Sequence, residues 1–182
     1  MKIVAISGSL RRGSSNAALL RAAARVAPDG MNIDLYEGLA QLPPFNPDED
    51  GEDATPPSLV LELRRLIIAA DGVLISSPEY AHGVPGVLKN MLDWLVSVGE
   101  LAGKPVALLN ASPAGGRYAQ ESLLETLRTM NWRVIAEASR IDPFVSRRIA
   151  GDLEEEAALL SLRDALASFA RKVSIPGSHL EH

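Results

Sequence analysis

The 182-residue chain contains no cysteine, which excludes disulfides, thiolate metal sites and cysteine nucleophiles together. Histidine is almost as scarce. Outside the last four residues the only one is His82, so a site of three or four His/Cys metal ligands cannot be built. A Ser/His/Asp triad would have to use His82, and no Gly-x-Ser-x-Gly elbow accompanies it. Excess positive charge is also missing. A net charge of −5 argues against nucleic acid or an anionic membrane as a partner. No apolar run reaches the ~18–20 residues needed to span a bilayer. The start at Lys2-Ile3-Val4 has no basic segment before a long apolar run, so no signal peptide is visible and the expected location is the cytoplasm. Aromatic residues make up only 4% of the chain, which makes each one placed in a loop more informative.

What remains is 47% apolar and 23% charged, ordinary for a globular domain, at a length that suits one domain. There is no internal repeat and no linker. Residues 1–176 are expected to form a single domain. Residues 177–182 are a tail outside it, and Leu180-Glu181-His182 looks like the start of a vector-derived histidine tag.

The chain is organised around its first sixteen residues. Met1 to Ser7 is a short apolar run suited to a fully buried strand. It stops at Gly8-Ser9-Leu10-Arg11-Arg12-Gly13-Ser14-Ser15-Asn16, after which Ala17 to Val26 has good helix propensity. A buried strand, a Gly/Ser/Arg loop and a helix N-terminus form an anion site, because free N–H groups and the positive end of the helix dipole face the loop. Ser9, Ser14, Ser15 and Asn16 add short polar side chains, and Arg11 and Arg12 add charge. Gly8 and Gly13 have the spacing of a Walker loop, but Ser14 stands where the lysine belongs. The dinucleotide pattern Gly-x-Gly-x-x-Gly fails at Leu10, so the backbone cannot approach a pyrophosphate closely. A hydroxyl-rich loop suits a terminal monophosphate such as that of FMN. The plainer alternative is a βα turn capped by Asn16.

Further along, Asn32 to Tyr36 reads as a second strand. Residues 37–57 form a long loop with five prolines and the acidic run Asp48 to Asp53. Ser58 to Ala70 is predicted helical, with Leu59, Leu63, Leu66 and Ile67 on its apolar stripe and Arg64 and Arg65 off it. The third strand, Gly72 to Ser77, runs into Pro78-Glu79-Tyr80-Ala81-His82-Gly83-Val84-Pro85-Gly86, and a helix follows to about Val98 with Pro85 in its first turn. Lys104 to Leu109 is the fourth strand and ends in Asn110-Ala111-Ser112-Pro113-Ala114-Gly115-Gly116. A helix from about Tyr118 to Met130 and a fifth strand, Trp132 to Ala136, come next. A last helix is expected from Asp152, with Glu155 completing a capping box. The helix from Gly86 carries Leu88, Met91, Leu92, Trp94, Leu95 and Val98. That is more apolar surface than one stripe against a sheet requires, which suggests a subunit interface.

Five apolar strands alternating with five helices require a doubly wound parallel sheet covered on both faces. In the order 2-1-3-4-5, strands one, three and four are neighbours. Their three following loops then meet at one cleft, where ligands of such sheets collect. With phosphate in the first loop, the second would meet a planar ring system. Tyr80 offers an aromatic face, and Pro78 and its neighbours offer exposed backbone on a constrained turn. Ser112 and the glycines after it let a third loop approach the same ring. Glu79 suits acid–base work, helix capping or loop hydrogen bonding equally.

Two stretches carry a family likeness, Gly8 through Asn16 and Ser77-Pro78-Glu79-Tyr80 through Pro85-Gly86-Val87-Leu88-Lys89-Asn90-Met91-Leu92-Asp93-Trp94. With the order of elements, they resemble the NADPH-dependent FMN reductases of flavodoxin-like fold, a group that includes quinone, chromate and azo-dye reductases. The resemblance implies that Ser9, Arg11, Ser15 and Asn16 hold the FMN phosphate. It implies that Pro78, Glu79, Tyr80 and Ala81 border the isoalloxazine ring with Ser112 beside it. Many relatives have Asn at the Ala81 position and Ser at the Gly83 position, so side-chain contacts there are lost. The implied activity is an oxidoreductase in which NADPH or NADH delivers hydride to FMN, which passes electrons to a small-molecule acceptor in a ping-pong cycle, with no catalytic side chain required. A homodimer or homotetramer is also implied. The rival readings are a flavodoxin-like electron carrier without nicotinamide chemistry, and a regulator that binds a sugar or nucleotide phosphate through the cradle alone. A carrier would be expected to have more aromatics around its flavin and a more acidic docking face.

Overall fold

The computed structural model describes residues 1–111, 116–141 and 156–174. Its sheet has β1 (Lys2–Ser7) flanked by β2 (Asn32–Tyr36) and β3 (Gly72–Ser76), with β4 (Pro105–Asn110) beyond β3. The sheet order is β2-β1-β3-β4-β5, where β5 is Arg133–Val134 and every pairing is parallel, which is the order expected from the sequence.

Successive strand residues point to opposite faces, and both faces are covered. Val4, Ile6, Val73, Ile75, Val106 and Leu108 pack with residues of α2 (Ser58–Ile68), α3 (Gly86–Asp93) and α4 (Arg117–Thr129). Ile3, Ala5, Leu74, Ala107 and Leu109 pack with α1 (Ser15–Arg25) and α5 (Glu156–Val173). Continuous apolar strands are thus what a two-sided core demands. Ala18, Ala22 and Ala23 on α1 are fully buried. Their small size lets this helix lie close to β1 and hold the preceding loop over the strand ends.

The fifth strand departs from expectation. It pairs with β4 only at β5 (Arg133–Val134), passes through a 3₁₀ turn at Ala136–Ala138, and rejoins β4 as β6 (Arg140–Ile141). Ser139 explains the interruption. Its hydroxyl accepts from Leu108 N–H at 3.0 Å and donates to Ile135 C=O at 2.9 Å, so a side chain fills the gap in the ladder as at a β-bulge.

Three helix expectations also change. The buried stripe of α2 is Val60, Leu63 and Ile67, while Leu59 is 41% exposed. Arg64, expected off the stripe, turns inward. α3 ends at Asp93, and the chain continues in turns. Leu88, Met91, Leu92, Trp94 and Leu95 are all buried within one chain, so their apolar surface belongs to the core and does not indicate a subunit interface. The capping box proposed at Asp152 and Glu155 lies outside the described residues, as does the tail. α5 is described from Glu156, with Leu162, Leu166 and Phe169 buried.

The long loop 37–57 is held down by the apolar helix it crosses. Asn90 accepts from Phe45 N–H at 2.7 Å and donates to Pro43 C=O at 2.9 Å, and Trp94 Nε1 donates to the same carbonyl at 2.9 Å. Phe45 meets the Trp94 indole edge-on, ring centres 5.0 Å apart. Asn90 and Trp94, part of the second family-like stretch, therefore anchor a loop. Arg64 completes the anchorage by bonding Asp50, the Trp94 carbonyl and Ser97. The acidic run is one side of this clamp, and no group of acids able to hold a metal forms among the described residues.

Candidate functional site

The first loop leaves β1 at Ser7 and turns into α1 at Ser15. Ser14 is the N-cap: its hydroxyl accepts from Ala17 N–H at 3.2 Å. This corrects the alternative in which Asn16 caps the helix. The loop is folded by its own backbone and serines. Gly8 N–H donates to Ser76 C=O at 2.8 Å, Ser14 N–H to Arg11 C=O at 3.0 Å, and Arg11 N–H to Ser9 Oγ at 3.3 Å. Gly8 is closely packed: a Cβ there would lie 2.9 Å from Ser77 Oγ, 3.0 Å from Leu88 Cδ2 and 3.3 Å from Ser77 Cα.

No backbone carbonyl among the described residues accepts from the N–H groups of Leu10, Arg12 or Gly13. Helix geometry leaves those of Ser15 and Asn16 open as well. The side chains of Arg11 and Arg12 are exposed at the same loop, and the positive end of α1 adds to them. Open amide donors, hydroxyls and guanidinium groups around one turn fit a phosphomonoester dianion.

Asn16 is 6% exposed. Its amide oxygen accepts from Ser76 Oγ at 2.8 Å and from Ala111 N–H at 3.2 Å. The first loop is thereby bonded to the ends of both β3 and β4.

The second loop is a closed turn. Tyr80 and Gly83 exchange backbone hydrogen bonds of 3.1 and 2.9 Å, and Ala81 and His82 between them have φ of +50° and +59°. Two left-handed residues in a two-residue hairpin define a type I′ turn, an uncommon conformation for an alanine. Tyr80 is 54% exposed, and its hydroxyl lies 3.3 Å from Ser9 Oγ, so the phenol crosses from the second loop to the first. The Glu79 carboxylate accepts from Ala119 N–H at 2.9 Å in the first turn of α4. Of the roles open to it in the sequence, the structure assigns helix capping. Replacing Glu79 by alanine should cost about 1 kcal/mol and lower the melting temperature by about 2–4 °C. Differential scanning calorimetry on the apoprotein checks this, with Glu79→Gln expected to recover part of the loss.

His82 stacks on Tyr118 at the start of α4, ring centres 4.3 Å apart and planes 21° from parallel. Sequence reading missed this contact of Tyr118 with the second loop, since Tyr118 served there only to mark a helix start. Gly116 precedes α4 with φ +58°, and a Cβ there would lie 2.7 Å from Asn110 Nδ2, so glycine is required on both counts. Ser112 lies outside the described residues. Ser9, Arg11, Ser15, Asn16, Pro78, Glu79, Tyr80 and Ala81 all belong to the two loops that meet above β1 and β3, and Asn16 carries the contact on to β4.

On the β2 side of the first loop is a groove of about 270 Å³ lined in part by Ser7, Ser9, Leu10, Tyr36 and Glu37. Burial, reinforced by Glu62, raises the Tyr36 phenol above its ordinary value, so it is a neutral hydroxyl at neutral pH. No helix among the described residues is long and apolar enough to cross a membrane.

Comparison with known proteins agrees with this geometry. Residues 1–146 match the family model for NADPH-dependent FMN reductase. The chain is 31% identical over 179 residues to a quinone reductase of Escherichia coli (strain K12), covering 93% of each. It is 41% identical over 131 residues to an NAD(P)H-dependent FMN reductase of Pseudomonas aeruginosa, covering 70% of this chain and 69% of that protein. Among solved structures, the flavoenzyme NAD(P)H:acceptor oxidoreductase of Paracoccus denitrificans superposes with a TM-score of 0.81 at 25% identity, over 94% of this chain and 96% of that one. With its first and second loops meeting at neighbouring strand ends of a flavodoxin-like sheet, the chain belongs to the NADPH-dependent FMN reductase family, oxidoreductases that take FMN as cofactor and NAD(P)H as hydride donor.

Proposed function

We propose that the protein passes electrons from NAD(P)H through FMN to a quinone-type small molecule, using one open face of the cofactor for both substrates in turn. The observation that carries this reading is the meeting of the Gly8–Asn16 and Pro78–Gly83 loops over adjacent strand ends, bridged by Tyr80 and Ser9. The quinone class is supported by the relative of 31% identity, a quinone reductase.

Ser9, Arg11, Ser15 and Asn16 hold the phosphate. Pro78, Glu79, Tyr80 and Ala81 border the ring, with Ser112 beside it. FMN supplies the two-electron chemistry, accepting hydride from nicotinamide and passing the electrons on. The protein binds and orients. The two loops would support one ring face, and the small residues Ala81 and Gly83 leave room for a flat partner against the other. A homodimer or homotetramer in the cytoplasm is part of the same reading, supported by the family resemblance. Light scattering that gives a monomeric mass at micromolar concentration would remove the oligomer from it.

Gly83 provides a test of the open face. A Cβ added there has only Tyr80 C=O within 4 Å, at 3.7 Å, and the backbone is not left-handed. Gly83→Trp should therefore fold, keep FMN, and slow reduction by NADPH roughly tenfold or more by displacing the nicotinamide. Stopped-flow reduction with FMN titration measures both effects. In wild-type steady-state kinetics a shared face predicts parallel double-reciprocal lines and competition between NADPH and quinone at high concentration. Intersecting lines would mean that both substrates bind together.

A further inference from the structure

We propose that Asn16 is a positioning residue that sets the distance between the phosphate loop and the ring loops, and so controls affinity for the flavin ring as well as for the phosphate. The proposal rests on the reading that the cleft takes FMN. It differs from the role that family resemblance implies, in which Asn16 is simply one of the residues that hold phosphate.

The chemistry of the amide separates the two roles. Phosphate needs donors, and the Asn16 oxygen is an acceptor whose two partners are the hydroxyl of Ser76 and the N–H of Ala111. Ala111 N–H can only donate, which fixes the oxygen on that side. The amide nitrogen is left without a protein partner among the described residues and directed away from both donors. Those two donors sit at the ends of different strands. Ser76 is the last residue of β3 and fully buried, and Ala111 follows the last residue of β4 and is 1% exposed.

Asn16 itself is the second residue of α1, and its own N–H is one of the open amides of the first loop. One side-chain oxygen therefore joins the three elements whose loops form the cleft. A second contact runs parallel to it, Gly8 N–H on Ser76 C=O, so β3 holds the first loop at both its beginning and its end. The buried position and the two bonds leave the Asn16 side chain little freedom. A shift of this oxygen moves the phosphate loop relative to Pro78 and Ala111, and with it the separation that a bound flavin must span.

Three variants separate positioning from phosphate contact. Asn16→Ala removes the strut. Asn16→Asp keeps an oxygen for Ser76 and Ala111 but replaces the nitrogen with a second oxygen of negative charge. Ser76→Ala removes one donor at a fully buried position. Titration of each apoprotein with riboflavin, which lacks phosphate, and with FMN supplies the comparison, and hydrogen exchange at Ala111 N–H reports the strut without any flavin.

Asn16→Ala should lose about tenfold affinity for riboflavin and at least as much for FMN, with faster exchange at Ala111. Asn16→Asp should return riboflavin to within about twofold of wild type while FMN stays weak, because a carboxylate then faces phosphate. Ser76→Ala should weaken riboflavin binding by a few-fold, and it carries the test if Asn16→Ala does not fold. Loss of FMN affinity alone in Asn16→Ala, with riboflavin unchanged, would make Asn16 a phosphate ligand only and overturn the proposal. Equal riboflavin losses in the Ala and Asp variants would overturn it too. A wild-type protein that takes up neither flavin, with Ala111 still protected, would instead contradict the reading of the cleft on which the proposal rests.

Discussion

Replacing Arg11 by alanine weakens FMN binding by roughly 10- to 150-fold and leaves riboflavin binding within about twofold of wild type. The expectation follows from how the loop is built. The Arg11 backbone helps to fold the turn, its N–H donating to Ser9 Oγ and its carbonyl accepting from Ser14 N–H. Its side chain is exposed and has no part in either bond, so alanine keeps the turn and removes only the guanidinium. A charge-assisted hydrogen bond to phosphate contributes about 1.5–3 kcal/mol, which sets the size of the loss. Because the side chain is exposed, the difference between wild type and variant should shrink as salt is raised. Fluorescence titrations with both flavins at two ionic strengths test this. Equal losses for riboflavin and FMN would remove Arg11 from the phosphate site.

The second large effect concerns stability. Arg64→Ala should cost about 3–5 kcal/mol, because it leaves the Asp50 carboxylate buried without its partner. The two side chains are 14% and 7% exposed, too little for water to take over the missing interaction. The Trp94 carbonyl and Ser97 hydroxyl lose donors in the same step. In a chain of this size the melting temperature should fall by on the order of 10 °C. Asp50→Asn combined with Arg64→Met, which removes both charges, should recover much of it. Thermal unfolding of the single and paired variants separates an unpaired charge from a general packing loss. A double variant no more stable than Arg64→Ala would point to packing.

The sheet was legible because its signals are local. Each central strand is a continuous apolar run, and the breaks at Gly8, Pro78 and Asn110 fall where strands meet loops, so alternation of strand and helix required a parallel sheet, and the order 2-1-3-4-5 expected for it is the one the structure has. The phosphate loop was legible for the same reason, since its serines, arginines and helix start are adjacent in sequence.

What stayed hidden depends on contacts across long separations. Asn16 looks like a helix cap in sequence, and only its bonds to Ser76 and Ala111, 60 and 95 positions away, reveal a strut. Trp94 and Leu95 look like surplus apolar surface until the loop at Pro43 and Phe45 is seen to cover the helix that precedes them. Arg64 sits beside Arg65 in sequence, and nothing local distinguishes the buried one from the exposed one. Trp132 to Ala136 has the composition of one strand, but Ser139 reaches back to Ile135 and Leu108 and breaks the ladder after Val134. The His82–Tyr118 stack joins the second loop to the first turn of α4, a spacing no periodicity encodes.

The central claim is that this cleft binds FMN and lets NAD(P)H reduce it. The measurement that reaches it most directly is one visible absorption spectrum of the protein, incubated with FMN and freed of excess, before and after adding NADPH without oxygen. The account predicts a protein-bound flavin spectrum that bleaches on NADPH addition and returns when a quinone is admitted. A protein that retains no flavin at saturating FMN, or one whose bound flavin keeps its colour with both NADPH and NADH, would contradict it.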